Sequence, residues 1–97
     1  MGYGFGRIND LVDDCHEIAR DHGFWDDRDP SNPLHILAAL MLVTTEVAEA
    51  AEAVRQPKFG NLEEELADIV IRVFDLAGVL QFNLEQAIVD KMEKNRD

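Results

Sequence analysis

The sequence predicts an all-α fold class: four helices forming a helical bundle that is completed by oligomerisation. Three observations lead there. Apolar residues recur at i, i+3, i+4 and i+7 over long segments, no segment shows the strict alternation of a strand, and clusters of Asn, Pro and Gly fall at helix-length intervals. With 97 residues and 46% hydrophobic content, residues 1–97 form one domain near the small end of what folds around a single core. A chain this short gains from burying further surface against a second copy of itself.

The first helix is expected from about Arg7 to Asp21. Ile8, Leu11, Val12, Cys15, Ile18 and Ala19 share one side, while Asp13, Asp14, Glu17 and Arg20 take the other. His16 and His22 have no partner at ligand spacing and read as surface or structural residues. From Gly23 to Pro33 a Gly, two Pro, Ser and Asn among several aspartates make a loop. Inside it Phe24 and Trp25 are either satellites of the core or a platform on which a nucleobase stacks.

Asn32 followed by Pro33 reads as an N-cap with proline at the first helical position, opening a second helix that runs to about Gln56. Ile36, Leu37, Leu40, Met41, Val43, Thr44, Val47, Ala48, Ala51 and Val54 fill one broad arc. Glu46 and Glu49 fall on the other side with His35, Ala38, Leu42 and Thr45. No long charged residue occurs between Pro33 and Thr45, so this helix is expected at the centre, packed along one face and carrying its acids to a site on another. Pro57 to Gly60 breaks the pattern. Asn61, with Glu64 three residues on, has the form of a capping box for the third helix.

In that helix Leu62, Leu66, Ile69, Val70, Val73, Leu76, Ala77 and Leu80 make a core stripe. Glu65, Asp68, Arg72 and Asp75 make a second stripe at its edge, with Arg72 spaced to pair with both Asp68 and Asp75 and to neutralise the carboxylates around it. Asn83 and Gln86 cap a short fourth helix ending near Asn95. Its inward positions are Leu84, Ala87 and Ile88, then Lys91 and Asn95. A lysine on an apolar stripe either snorkels out at the helix end or points its charge at a phosphate.

Nine Lys and Arg against twenty Asp and Glu give a formal charge of -11, which argues against sequence-independent binding to duplex nucleic acid, since that needs a basic face; no nucleic acid polymer is expected as a partner. The excess suits divalent cations, or simply a solvated acidic surface. Cys15 is the one cysteine, so no disulfide forms within the chain and a reducing, cytoplasmic setting is expected. Its place on the apolar side of the first helix makes it a core residue rather than a nucleophile. Met1-Gly2-Tyr3-Gly4-Phe5-Gly6 has no long apolar run of the kind found in signal peptides, and no run is read as a membrane span, so no membrane partner is expected.

Two acidic turns carry the chemistry. Glu46-x-x-Glu49 and Glu65-x-x-Asp68 each put two carboxylates on one helix face about one turn apart, and two such pairs facing each other can share a cation. Hard Mg²⁺ takes a few carboxylates and leaves positions open for phosphate oxygens, which suits catalysis better than structure. A carboxylate not saturated by metal can then orient or deprotonate a water for attack on phosphorus. The plain alternative is that both turns are solvent faces. A carboxylate-bridged di-iron centre is disfavoured, because Glu-x-x-His spacing is absent.

Glu46-x-x-Glu49, fifteen intervening residues and Glu65-x-x-Asp68 resemble the metal-binding motif of the all-α nucleoside triphosphate pyrophosphohydrolases, the MazG-like group. The similarity extends over Gly23-Phe24-Trp25-Asp26-Asp27, over Arg72 and Asp75, and over Lys91-Met92 with Asn95. It implies hydrolysis between the α and β phosphates of a nucleoside triphosphate, giving monophosphate and pyrophosphate. By position Glu46, Glu49, Glu65 and Asp68 would hold Mg²⁺ or Mn²⁺, and Glu46 or Glu49 would also activate the water. Lys91 and Asn95 would contact phosphate, Trp25 would lie near base or sugar, and the assembly would be a homodimer or homotetramer. Such chains usually run on past the position of Asn95 with a further arginine, a proline and a short basic run. Here Asn95 is followed by Arg96 and Asp97, so either that tail is dispensable or part of the phosphate grip is missing. Phosphoribosyl-ATP pyrophosphohydrolase shares architecture and chemistry and is the competing enzyme reading; a non-catalytic cation-binding helical assembly module is the competing non-enzyme one.

Overall fold

A computed structural model describes residues 7–97; the opening Met1 to Gly6 segment, and the reading of it as no signal peptide, lie outside the described residues. Four α-helices make up the fold: α1 Ile8–Asp21, α2 Pro33–Val54, α3 Leu62–Val79 and α4 Leu84–Arg96, with a short 3-10 turn at Pro57–Phe59. Among the described residues there is no strand, so the all-α bundle expectation holds.

Local chemistry sets most of the boundaries. The Asn32 side chain accepts from the Leu34 backbone N–H at 2.9 Å, with Pro33 in the first turn, as the sequence indicated. Asn83 likewise accepts from the Gln86 N–H at 3.1 Å. Asn61 behaves differently from the expected capping box. It makes no side-chain cap bond, and its amide instead donates to the Glu65 carboxylate at 3.3 Å, so the acids of this turn stay with the site rather than closing the helix end. Gly23, at φ 83°, turns the chain sharply after α1, and the Phe24 N–H reaches back to the Ala19 carbonyl at 3.0 Å. That turn folds Phe24 and Trp25 back toward the helices.

The central helix is α3, not α2 as the apolar circumference of α2 suggested: α1 and α2 both pack on α3. Small residues make this possible. Ala39, Ala50 and Ala53 are buried on α2, and Ala77 is buried on α3. Where α1 crosses α3, a Cβ on Gly78 would lie 2.6 Å from the Cβ of His16, so the crossing needs glycine for its closeness. The α4 helix is held at its start by α1: Asn9 and Glu85 exchange backbone-to-side-chain hydrogen bonds of 3.1 Å, and Asn9 donates to the Asn83 side chain at 2.9 Å.

Burial on α2 also shifts the expected assignment of faces, leaving only Ile36 and Val43 of the expected apolar arc packed. The packed side is Ile36, Ala39, Leu42, Val43, Glu46, Ala50 and Ala53, the side that carries the acid, whereas Leu37, Leu40, Met41, Val47 and Val54 of the broad apolar arc are exposed. On α3, Leu66, Val70 and Val73 of the expected core stripe are exposed as well. By length and composition α2 is also apolar enough to cross a membrane, with 22 residues that include an 18-residue stretch of mean hydropathy 1.5, contrary to the expectation that no run approaches such a span. Along α4 the apolar stripe ends at Ile88; Ala87, Lys91 and Asn95 are exposed.

Candidate metal centre and adjoining cavity

The short connection between α2 and α3 makes the two helices antiparallel, so the first acidic turn meets the second. Glu46, Glu49 and Glu65 each offer a carboxylate oxygen, all within 4.8 Å of one another. Opposite ligands of an octahedral Mg²⁺ or Mn²⁺ sit about 4.2 Å apart, so a cation fits among the three with small side-chain adjustment. Asp68 lies one turn beyond Glu65 and lines a cavity together with Glu46. The electrostatics match. Partial withdrawal from water, then the negative charges of Glu49 and Asp68, and lastly Glu46, raise the Glu65 pKa above the ordinary glutamate value against the opposing Asn61 hydrogen bond. Carboxylates crowded this way suit a hard divalent cation, which prefers oxygen ligands.

Arg72 is placed differently from the expected pairing along its own helix. Its Nε lies 3.6 Å from Glu46 across the α2–α3 interface, while Asp68 and Asp75 form no ion pair with it. Its guanidinium carbon also stands 5.3 Å from the centre of the Phe24 ring, on which Arg28 sits closer, at 4.1 Å. Arg28 is pinned there by a hydrogen bond to the Phe24 carbonyl.

Beside the carboxylates a cavity of about 390 Å³ opens between α1 and α3. Cys15, Ile18, Ala19 and His22 of α1 and its C-cap form one wall, Ile71 the other, and Glu46, Asp68 and Arg72 the rim toward the acids. The size suits a small ligand with both an apolar and a charged part. Cys15 is half-buried, and burial, followed by Asp14 and Asp75, pushes its thiol pKa up, so it is protonated and inert, in line with a packing role.

Asp75 and Trp25 form an anchor that the sequence did not disclose. Asp75 is 4% exposed and Trp25 8% exposed; the indole Nε1 donates to both Asp75 oxygens, at 2.9 and 3.1 Å. His16 Nδ1 lies 2.9 Å from the same carboxylate. Of the two readings of Trp25, the structure therefore gives the packing one: the ring is buried, edge-on to Phe24 at 5.1 Å, and offers no open face to a base. Asp75 binds the loop and α1 to α3 rather than orienting Arg72. Lys91 and Asn95 are not brought to the carboxylates. Both are exposed on α4, and Lys91 flanks a shallow strip with Leu84, Ile88 and Met92 that contains no acid. The signals for the anchor existed separately as a histidine and an aromatic pair, but partners 50 and 59 positions apart cannot be read from local spacing.

Fold and site together define a helical domain that gathers carboxylates from two antiparallel helices in an arrangement able to hold a cation, beside a cavity the size of a small ligand. The model of the MazG nucleotide pyrophosphohydrolase domain matches residues 35–97, about two-thirds of the chain, including all but the first two residues of α2, the whole of α3 and α4, and both acidic turns. The chain belongs to this family of nucleotide pyrophosphohydrolases. No curated protein and no solved structure matches it.

Proposed function

We propose that this protein is a hydrolase that cleaves the α–β phosphoanhydride bond of (deoxy)nucleoside triphosphates, giving monophosphate and pyrophosphate, in nucleotide-pool housekeeping in the cytoplasm. The single observation that carries the reading is the meeting of Glu46, Glu49 and Glu65 within 4.8 Å at the edge of a ligand-sized cavity. These three, with Asp68, would hold Mg²⁺ or Mn²⁺, which when bound neutralises phosphate charge and makes water easier to deprotonate.

The chain's own residues do the rest. Glu46 is half-buried and partly neutralised by Arg72, whereas Glu49 is exposed and has no ion pair among the described residues. Glu49 is thus the stronger hydrogen-bond acceptor, able to orient an attacking water and take its proton, with Glu46 holding position beside it. The cavity walls keep the nucleoside out of bulk water. Lys91 and Asn95 reach phosphate only if a neighbouring subunit presents them.

A second copy of the chain is the proposed cover for the exposed arc of α2 and the Leu66, Val70 and Val73 stripe of α3, giving a homodimer or homotetramer. Few large side chains are buried within one chain, which leaves the apolar surface to be used between chains. Sedimentation at several concentrations tests this, and Met41→Lys should shift the equilibrium toward monomer. A monomer that instead floats with lipid vesicles would reassign the face to a membrane.

The activity is tested by pyrophosphate release from ribo- and deoxynucleoside triphosphates and phosphoribosyl-ATP, with Mg²⁺, Mn²⁺ or chelator, for the native chain beside Glu49→Gln. Metal-dependent release that falls at least about 100-fold in the variant is expected, the usual size for a lost general base. Preference for phosphoribosyl-ATP would move the substrate. Metal binding without turnover of any nucleotide would leave a cation-binding assembly module.

A further inference from the structure

The acidic site holds one guanidinium, and its position says more than charge balance requires. In a chain of net charge -11, Arg72 is, among the described residues, the only Lys or Arg lining the cavity that adjoins the carboxylates. Its contact with Glu46 is loose: at 3.6 Å it is an ion pair without a hydrogen bond, and the Arg72 side chain keeps 36% of its surface exposed. The other end of its support is Phe24, whose ring is fixed by Trp25 and carries Arg28. Arg72 is therefore perched between an aromatic ring and one carboxylate, with donors unused.

From this we infer that Arg72 is a substrate-contacting residue: it leaves Glu46 when a divalent cation binds there, and its fork of N–H donors then grips a phosphate of the nucleotide in the cavity. The inference rests on the nucleotide reading of the site given above. The physical case is competition. A guanidinium and a divalent cation both seek the Glu46 carboxylate, and the divalent cation gains more from it because Glu49 and Glu65 join in. Once Glu46 serves the cation, its pull on Arg72 weakens, and the strongest acceptor entering the cavity is a phosphate, which a planar guanidinium binds through two parallel hydrogen bonds. Lys91 is absent from this cavity, so Arg72 is the cation this chain itself provides.

A purely supporting role for Arg72 predicts the opposite behaviour. If it only oriented Glu46, its loss would weaken the metal and leave the nucleotide alone. The test compares the native chain with Arg72→Gln and Arg72→Lys, each first checked for native helicity. Mn²⁺ affinity is measured without nucleotide, and the affinity for an α,β-imido deoxynucleoside triphosphate is measured at saturating Mn²⁺. In Arg72→Gln we expect Mn²⁺ binding unchanged or tighter, because a competitor is gone, and analogue binding weaker by roughly tenfold or more. Arg72→Lys should recover part of that loss, since it keeps the charge without the fork. Weaker Mn²⁺ binding with unchanged analogue affinity would overturn the inference, as would a native chain that fails to bind the analogue. Binding of the analogue without hydrolysis of any substrate by the native chain would count against the proposed activity alone and leave the role of Arg72 standing.

Discussion

Asp75→Ala removes one acceptor from two donors at once, and the cost follows from their burial. Trp25 is 8% exposed and donates to both Asp75 oxygens, so its N–H would be left without partner or water. A stranded buried donor costs about 1–3 kcal/mol. The His16 side chain, 18% exposed, can be partly rescued by solvent and adds a value at the low end of that range. Together the loss is about 2–4 kcal/mol, or roughly 10–20 °C in Tm for a domain of this size. Asp75→Asn keeps an oxygen for the indole and should cost about half as much. Trp25→Phe keeps the aromatic packing but leaves the carboxylate with His16 as its one partner, and combined with Asp75→Ala it should show a coupling of about 1–3 kcal/mol. The assay is thermal and urea unfolding followed by circular dichroism, with all variants at one concentration because self-association would shift the midpoint. An Asp75→Ala variant within about 0.5 kcal/mol of the native chain, or a coupling near zero, would refute the view that this anchor ties α1 and the loop to α3.

Other outcomes follow from the same structure. Gly78→Ala should destabilise by about 1–3 kcal/mol in urea unfolding despite alanine's better helix propensity, because the new methyl meets His16 at 2.6 Å. The raised Glu65 pKa means that the folded, metal-free chain holds that proton more firmly than the unfolded chain. Its stabilising contribution is therefore present below the ordinary glutamate value of 4.5 and is lost as pH rises through the higher folded pKa. Glu65→Gln should accordingly stabilise the metal-free protein at pH 7 while abolishing stabilisation by added Mn²⁺, as read by paired melts with metal and with chelator. Cys15, held as a thiol by burial and by Asp14 and Asp75, should react with iodoacetamide at pH 7 much more slowly in the folded chain than in urea.

Helix number, the four helix starts and the two acidic turns were legible in the sequence because each depends on neighbours within about one turn. Asn32 with Pro33 and Asn83 with Gln86 cap through atoms two or three residues away, and Glu46-x-x-Glu49 is set by helical pitch alone. What local pitch cannot specify is which side of an apolar helix faces its own chain. An arc of Leu37, Leu40, Met41 and Val47 reads as core, yet α2 packs instead through Ala39, Ala50 and Ala53, because small residues let its backbone approach α3. The same uncertainty hid the centre of the fold in α3, and it moved Arg72 from partners on its own helix to Glu46 on the next. The residue types for binding a cation were fixed by sequence, while the meeting of the two acidic turns, the burial of Trp25 on Asp75 and the cavity beside them exist only in the tertiary structure. They depend on residues tens of positions apart, whose distances are set by how α1, α2 and the Gly23 turn close on α3.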